Sequence, residues 1–226
     1  MKRTAFKLLL AAAIITPVAV YAQTPLPQFR PGNPQTATLL TREEIEAINK
    51  TEQTQQTRDE NAIVVDIGDK WSMEVGVVHR KSTRNPPPPA AGGGGASAAA
   101  TRAPCGEQMA NPPADAMKGA LSHDNQTEGY YIISGGGTGF IDGKLINGRH
   151  STENPDLGPN GPSCGGGVSI GSRKVELKVG DVLIVPPGVV HGWADIPDHV
   201  DYLSFRPSHD VMKNGTVNPT IAGMHK

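Results

Sequence analysis

The sequence predicts an all-β chain, a sandwich or barrel of short strands joined by turns and irregular loops. Three observations carry this. Runs of β-branched and aromatic residues recur at close spacing with glycine or proline between them. The chain holds 27 glycines and 20 prolines, a content that suits turns far better than a helical bundle. Helix signatures are scarce, and one short segment near the N-terminus carries the clearest.

That segment is Thr41-Arg42-Glu43-Glu44, a capping box with Ile45 and Ile48 on one face behind it. It predicts a short helix over 41–50, fading into the polar "TEQTQQTRDEN". Strands follow. "AIVVDI" at 62–67 is a compact β-branched run, and "GDK" makes a turn. In "WSMEVGVVHR" (71–80), Trp71, Met73, Val75, Val77 and His79 alternate onto one face, taken as inward. His79 then ends that face, either held by backbone or standing in the wall of a pocket. Residues 85–114 are too rich in proline, glycine and alanine to pack as a core element, and read as a long insertion. Strand signals return at 129–135, 138–146, 168–171, 174–186 and 199–207, with a second loop over 147–167. In "DYLSFRP", Leu203 and Phe205 share one face, and the apolar pair marks it as the core side. Tyr202, Ser204 and Arg206 share the other, where Arg206 is a candidate for anchoring a carboxylate.

The first 22 residues read as a secretory signal peptide. Lys2, Arg3 and Lys7 precede the apolar "LLLAAAIITPVAV", and "VYA" supplies small residues before Gln23. The expected location is periplasmic or secreted, with no lasting membrane anchor. Residues 23–60 form an arm and the short helix, 61–210 the β domain, and 211–226 a C-terminal tail. The formal net charge of −1 gives no basic surface for nucleic acid. Cys105 and Cys164 lack the CxxC spacing of a zinc knuckle or redox site, so in an exported chain they suggest one disulfide tying the two long loops together.

The chemistry concentrates in two places. "GDVLIVPPGVVHGW" (180–193) ends a strand on Pro186-Pro187-Gly188 and delivers His191 three residues later. "LSHDNQTEGYY" (121–131) carries His123 and Glu128 ahead of another strand. Two imidazoles and a carboxylate from separate strands suit one divalent transition metal: Fe, Mn, Zn, Ni or Cu.

With these residues in view, the chain resembles the cupin superfamily of small double-stranded β-helix barrels. The second cupin motif, G-x5-P-x-G-x2-H-x3-N, is matched by Gly180, Pro186, Gly188 and His191, with Asp195 in place of the last Asn. The first, G-x5-H-x-H-x3–4-E-x6-G, is matched in part, by His123, Glu128 and Gly135, with Leu121 at the first His and Asp115 at the opening Gly. The other register makes His123 the first His and Asn125 the second, and leaves Glu128 one residue too near. The resemblance implies a jelly-roll-like barrel, a metal on His123, Glu128 and His191, a small-molecule substrate or ligand, and a homodimer. It also implies dioxygenase, decarboxylase, isomerase or lyase chemistry, with Tyr130 or His79 placed to move a proton. A non-catalytic binding cupin and a structural module with a vestigial pocket stay open beside the enzyme.

Overall fold

The computed structural model describes residues 36–86, 102–151, 161–209 and 211–225. The expected signal peptide, most of the arm and the centre of the first insertion lie outside them. Helix α1 spans Arg42–Asn49, and its capping box is made: the Thr41 backbone N–H donates to Glu44 Oε2 at 2.7 Å, and Glu44 N–H donates to Thr41 Oγ1 at 3.2 Å. Every other regular element among the described residues is β. The strands are β1 (Thr57–Gly68), β2 (Trp71–Lys81), β3 (Pro104–Cys105), β4 (Met117–His123), β5 (Glu128–Ile141) and β6 (Lys144–Ile146). They continue with β7 (Gly148–His150), β8 (Ser163–Ile170), β9 (Arg173–Lys178), β10 (Val182–Val185), β11 (His191–Asp195) and β12 (His199–His209).

All the paired strands run antiparallel, in the order β1-β2-β12-β5-β11-β4-β8-β7-β3, with β9 and β10 also on β5 and β6 on β8. The pivot is β5. Its first half pairs with β12 and β10, and its second half, from Gly136, pairs with β9 and β11. The change of partners falls on Gly135, which has φ +63°, and where a Cβ would lie 2.1 Å from the His199 carbonyl oxygen. Only glycine permits that approach, so one continuous strand serves two sheets.

The closed barrel that the sequence predicts is not completed by these pairings. The ladder is open, with β1 and β3 at its ends. The C-terminal segment meets β1 instead: Val64 N–H donates to Thr216 O at 2.9 Å, and Gly215 N–H to Val64 O at 2.9 Å. Residues 211–225 are therefore built into the domain, and Ile221 is fully buried beside Ile48 and Val77.

The second expected loop, 147–167, also contains structure. It holds β7 and the first half of β8, which pairs with β4 from Ser163 to Gly167 with a register shift at Gly166. The first insertion contributes β3, which pairs with β7. Cys105 and Cys164 are joined, as expected, and pack with Phe140, Leu145 and Val190.

Both faces of β2 are covered, which reverses the sequence reading of its sides. Val77 packs under α1 with Ile48, Ala62 and Ile63. Val78 faces the interior between the sheets, with Tyr130, Ile132 and Tyr202. The face bearing Trp71, Met73, Val75, Val77 and His79 is therefore the helix side. On β12 the same reversal holds: Tyr202, Ser204 and Arg206 are fully buried, while Phe205 is 39% exposed. A buried polar set defeats the rule that the apolar side of a strand is the core side.

Candidate metal centre

His191 is placed by the turn that precedes it. Val189 N–H donates to Pro186 O at 3.2 Å, with Pro187 at the second turn position and Gly188 at the third, where φ is +77°. This is a type II arrangement, in which proline fixes one dihedral and glycine supplies the positive one. Gly188 N–H also donates to His123 O at 2.7 Å, so the turn of one motif is tied to the histidine of the other. His191 then opens β11 opposite Leu121 of β4 and Ile141 of β5. His123 ends β4, a strand the sequence reading did not separate from the motif, and Glu128 begins β5.

The three side chains converge. His123 Nε2 and His191 Nε2 each lie 3.1 Å from Glu128 Oε2, and the rings are 5.3 Å apart. All three are at most 3% exposed, and their donor atoms lie within 4.8 Å of one another. They are the group of His, Cys, Asp and Glu among the described residues that could hold a metal ion.

Hydrogen bonding fixes the tautomers. His191 Nδ1 is 3.0 Å from the Val189 carbonyl, which can only accept, so Nδ1 carries the proton. Ser163 Oγ donates to Gly161 O at 2.8 Å, so it accepts from His123 Nδ1, also at 2.8 Å. With both Nδ1 donors committed, each Nε2 is directed at the same carboxylate oxygen, where a proton or a metal ion can bridge nitrogen and oxygen. Outer partners that hold each ligand imidazole by its Nδ1–H are the usual support of a metal site. The residues fit a divalent transition ion.

Burial opposes ionisation of Glu128, but the Arg206 charge and then the two imidazole contacts outweigh it, and hold the carboxyl well below its usual range. Tyr130 adds its hydroxyl, donating to Glu128 Oε2 at 3.1 Å. Burial first, and the Glu128 charge next, push that hydroxyl well above its ordinary value, so Tyr130 stays neutral and keeps its proton. Trp193 stacks on Tyr130 with ring centroids 6.5 Å apart, and its buried indole N–H finds no protein acceptor.

The structure brings His123, Glu128, His191 and Tyr130 together, with Leu121 across from His191. His79 is not among them. It sits on the helix side of β2 and pairs with Asp201, whose other oxygen accepts from Asn49 at 3.0 Å. Asn125, from the other motif register, is exposed in the turn after β4. Asp195, in the place of the motif's last Asn, is held by Arg84 at 3.1 and 2.7 Å.

Sequence reasoning named Arg206 as a carboxylate anchor but missed the polar set around it behind Glu128. Arg206 reaches Glu128, Glu74 and Asp59, and Gln126 donates to Glu74. Burial pushes the Glu74 carboxyl up to about 7 against the pull of Arg206, with Asp59 adding to the rise. The signal was present as charged and polar residues at alternate positions of two strands, Ser72 and Glu74 on β2 and Ser204 and Arg206 on β12. It identifies a site only once both alternations are known to face inward.

No family model and no curated protein matches this chain. Among solved structures, it is similar to Peruvianin-I, a cysteine peptidase from Thevetia peruviana latex, at 11% identity over 84% of this chain and 91% of that one. The TM-score is 0.29, a level at which nothing is carried from one chain to the other.

Proposed function

We propose that this chain is an exported, metal-dependent cupin that acts on a small organic molecule, by chemistry of the dioxygenase, decarboxylase, isomerase or lyase type. One observation carries the reading: the buried ligand atoms of His123, Glu128 and His191 converge while each imidazole is oriented from behind. The second cupin motif, and two antiparallel sheets sharing β5, support the family assignment. The disulfide supports an oxidising compartment. Among the described residues, no helix is long and apolar enough to cross a membrane.

A divalent ion bound at this site would supply Lewis acidity toward a substrate oxygen. The chain's own residues then divide the remaining work. His123, Glu128 and His191 would hold the ion, and Leu121, the strand partner of His191, offers no ligand atom. Tyr130 holds its proton on Glu128 Oε2 and orients that oxygen, and it is the candidate for hydrogen-bonding or protonating a strongly basic substrate oxygen. The unpartnered Trp193 N–H is a donor for a ligand acceptor or a water.

The test is elemental analysis of protein purified without chelator, followed by loading with Fe, Mn, Zn, Ni, Cu and Co. Turnover and oxygen uptake are then measured across carboxylates, catechols and sugars. One equivalent of metal and turnover of one class are expected. Metal without turnover would make this a binding cupin, and a chain that takes up no metal would make the pocket vestigial.

A further inference from the structure

We infer that Arg206, with Ser204, is a positioning pair that limits Glu128 to a single ligand oxygen. This rests on the metal reading above. The two oxygens of Glu128 have separate surroundings. Oε2 faces both imidazoles and the Tyr130 hydroxyl. Oε1 faces away, and accepts from Arg206 Nη2 at 2.8 Å, Arg206 Nε at 3.2 Å and Ser204 Oγ at 3.1 Å. Three donors fill the lone pairs of one carboxylate oxygen. An ion between the imidazoles therefore meets Oε2 alone, and Glu128 cannot chelate it through both oxygens.

The seat of Arg206 is built for this. The strand register sets Ser204 against Tyr130 and Phe205 against Gly129, so Arg206 comes abreast of Glu128. Its guanidinium is fully buried and is held from the far side, with Nη1 2.7 Å from Glu74 Oε1 and Nη2 2.7 Å from Asp59 Oδ2. Gln126 Nε2 in turn steadies Glu74 Oε2 at 3.3 Å. On β2, a Cβ at Gly76 would come within 3.0 Å of Arg206 Nη1, so the neighbouring strand gives way to the planar group. A guanidinium presents several donors in a fixed plane, whereas an ammonium is a point charge on a flexible stem. Two carboxylates from β1 and β2, one of them steadied by Gln126, thus hold one planar fork against one oxygen. That oxygen belongs to the carboxylate ligand, and the pair acts on the metal only through it.

Charge and geometry separate experimentally. Arg206→Lys keeps the positive charge against Glu74 and Asp59 but loses the fork. Ser204→Ala removes one donor to Oε1 and disturbs little else. Each full-length variant is titrated with Co(II), read both as a dissociation constant and as the visible d–d spectrum, after circular dichroism has confirmed the metal-free fold. Arg206→Lys is expected to weaken cobalt binding by about 10- to 100-fold, the usual effect of losing an outer partner of a ligand. Its d–d bands should also weaken as Oε1 swings in and the coordination number rises. Ser204→Ala should move both readouts the same way by less. Wild-type affinity and spectrum in both variants would overturn the inference while leaving the metal reading intact. A wild-type protein that binds no cobalt would overturn the metal reading first. If Arg206→Lys does not fold, Ser204→Ala alone decides.

Discussion

Replacing both cysteines, Cys105→Ala with Cys164→Ala, should cost the domain about 4 kcal/mol of stability in the chain-entropy account of a crosslink. The magnitude follows from the sequence separation of 59 residues that the bridge closes. The loop so restrained contains β4 through β7, and with them His123 and Glu128. Alanine at both sites leaves the surroundings apolar, since the bridge packs with Phe140, Leu145 and Val190. Local collapse at the lost sulfurs is limited by Gly148, where an added Cβ would come within 2.6 Å of Cys164 Sγ. In a domain of this size, such a loss lowers the melting temperature by roughly 10 °C. Urea unfolding of the metal-free protein, with reversibility checked, measures it. Wild-type protein under reductant should fall to the same midpoint. A second readout is metal affinity, because Ser163 precedes Cys164 on β8 and orients His123. A stability loss below about 1 kcal/mol would refute the reasoning, since it would mean that the unfolded chain gains little freedom when the loop opens.

His191→Ala should abolish stoichiometric metal binding, a loss of at least about 100-fold, checked by equilibrium dialysis and elemental analysis. Leu121→His should add an imidazole beside His191, its strand partner. It should tighten metal binding roughly tenfold, about 1.4 kcal/mol, and slow turnover if that quadrant takes substrate. Unchanged affinity would mean that the side chain at position 121 does not reach the metal. Glu74 gives a pH dependence. Its folded carboxyl titrates near 7, above the ordinary 4.5, so its contribution is complete below about 4.5 and is lost as pH rises through about 7. Metal-free wild type should therefore lose up to about 3 kcal/mol between pH 5 and 8, and Glu74→Gln should remove most of that slope in urea titrations. Parallel slopes for the two proteins would count against a buried, proton-binding Glu74.

Some of this protein was legible in the sequence because it is written in local chemistry. The capping box placed α1 to within a residue, since its bonds join positions three apart. The proline–glycine turn before His191 was readable for the same reason: fixed and positive dihedrals belong to residue types, whatever surrounds them. The grouping of His123, Glu128 and His191 came from motif spacing, and the structure brings those three residues together. Tertiary structure decided which side of each strand faces inward. On β2, the apolar side, with Val75 and Val77, meets α1, while the side that faces the second sheet carries Ser72 and Glu74 beside Val78, so the preference that alternation gives points to the helix side. On β12, it gave the wrong one, because Arg206 is buried by three carboxylates that lie 78, 132 and 147 residues away in sequence. It also decided that β5 is one strand serving two sheets, that the C-terminal segment lies along β1, and that His79 and Tyr130 stand on opposite sides of the same sheet. A buried charge is tolerated only where its partners meet it, and partners that far apart along the chain meet only when the whole chain has folded.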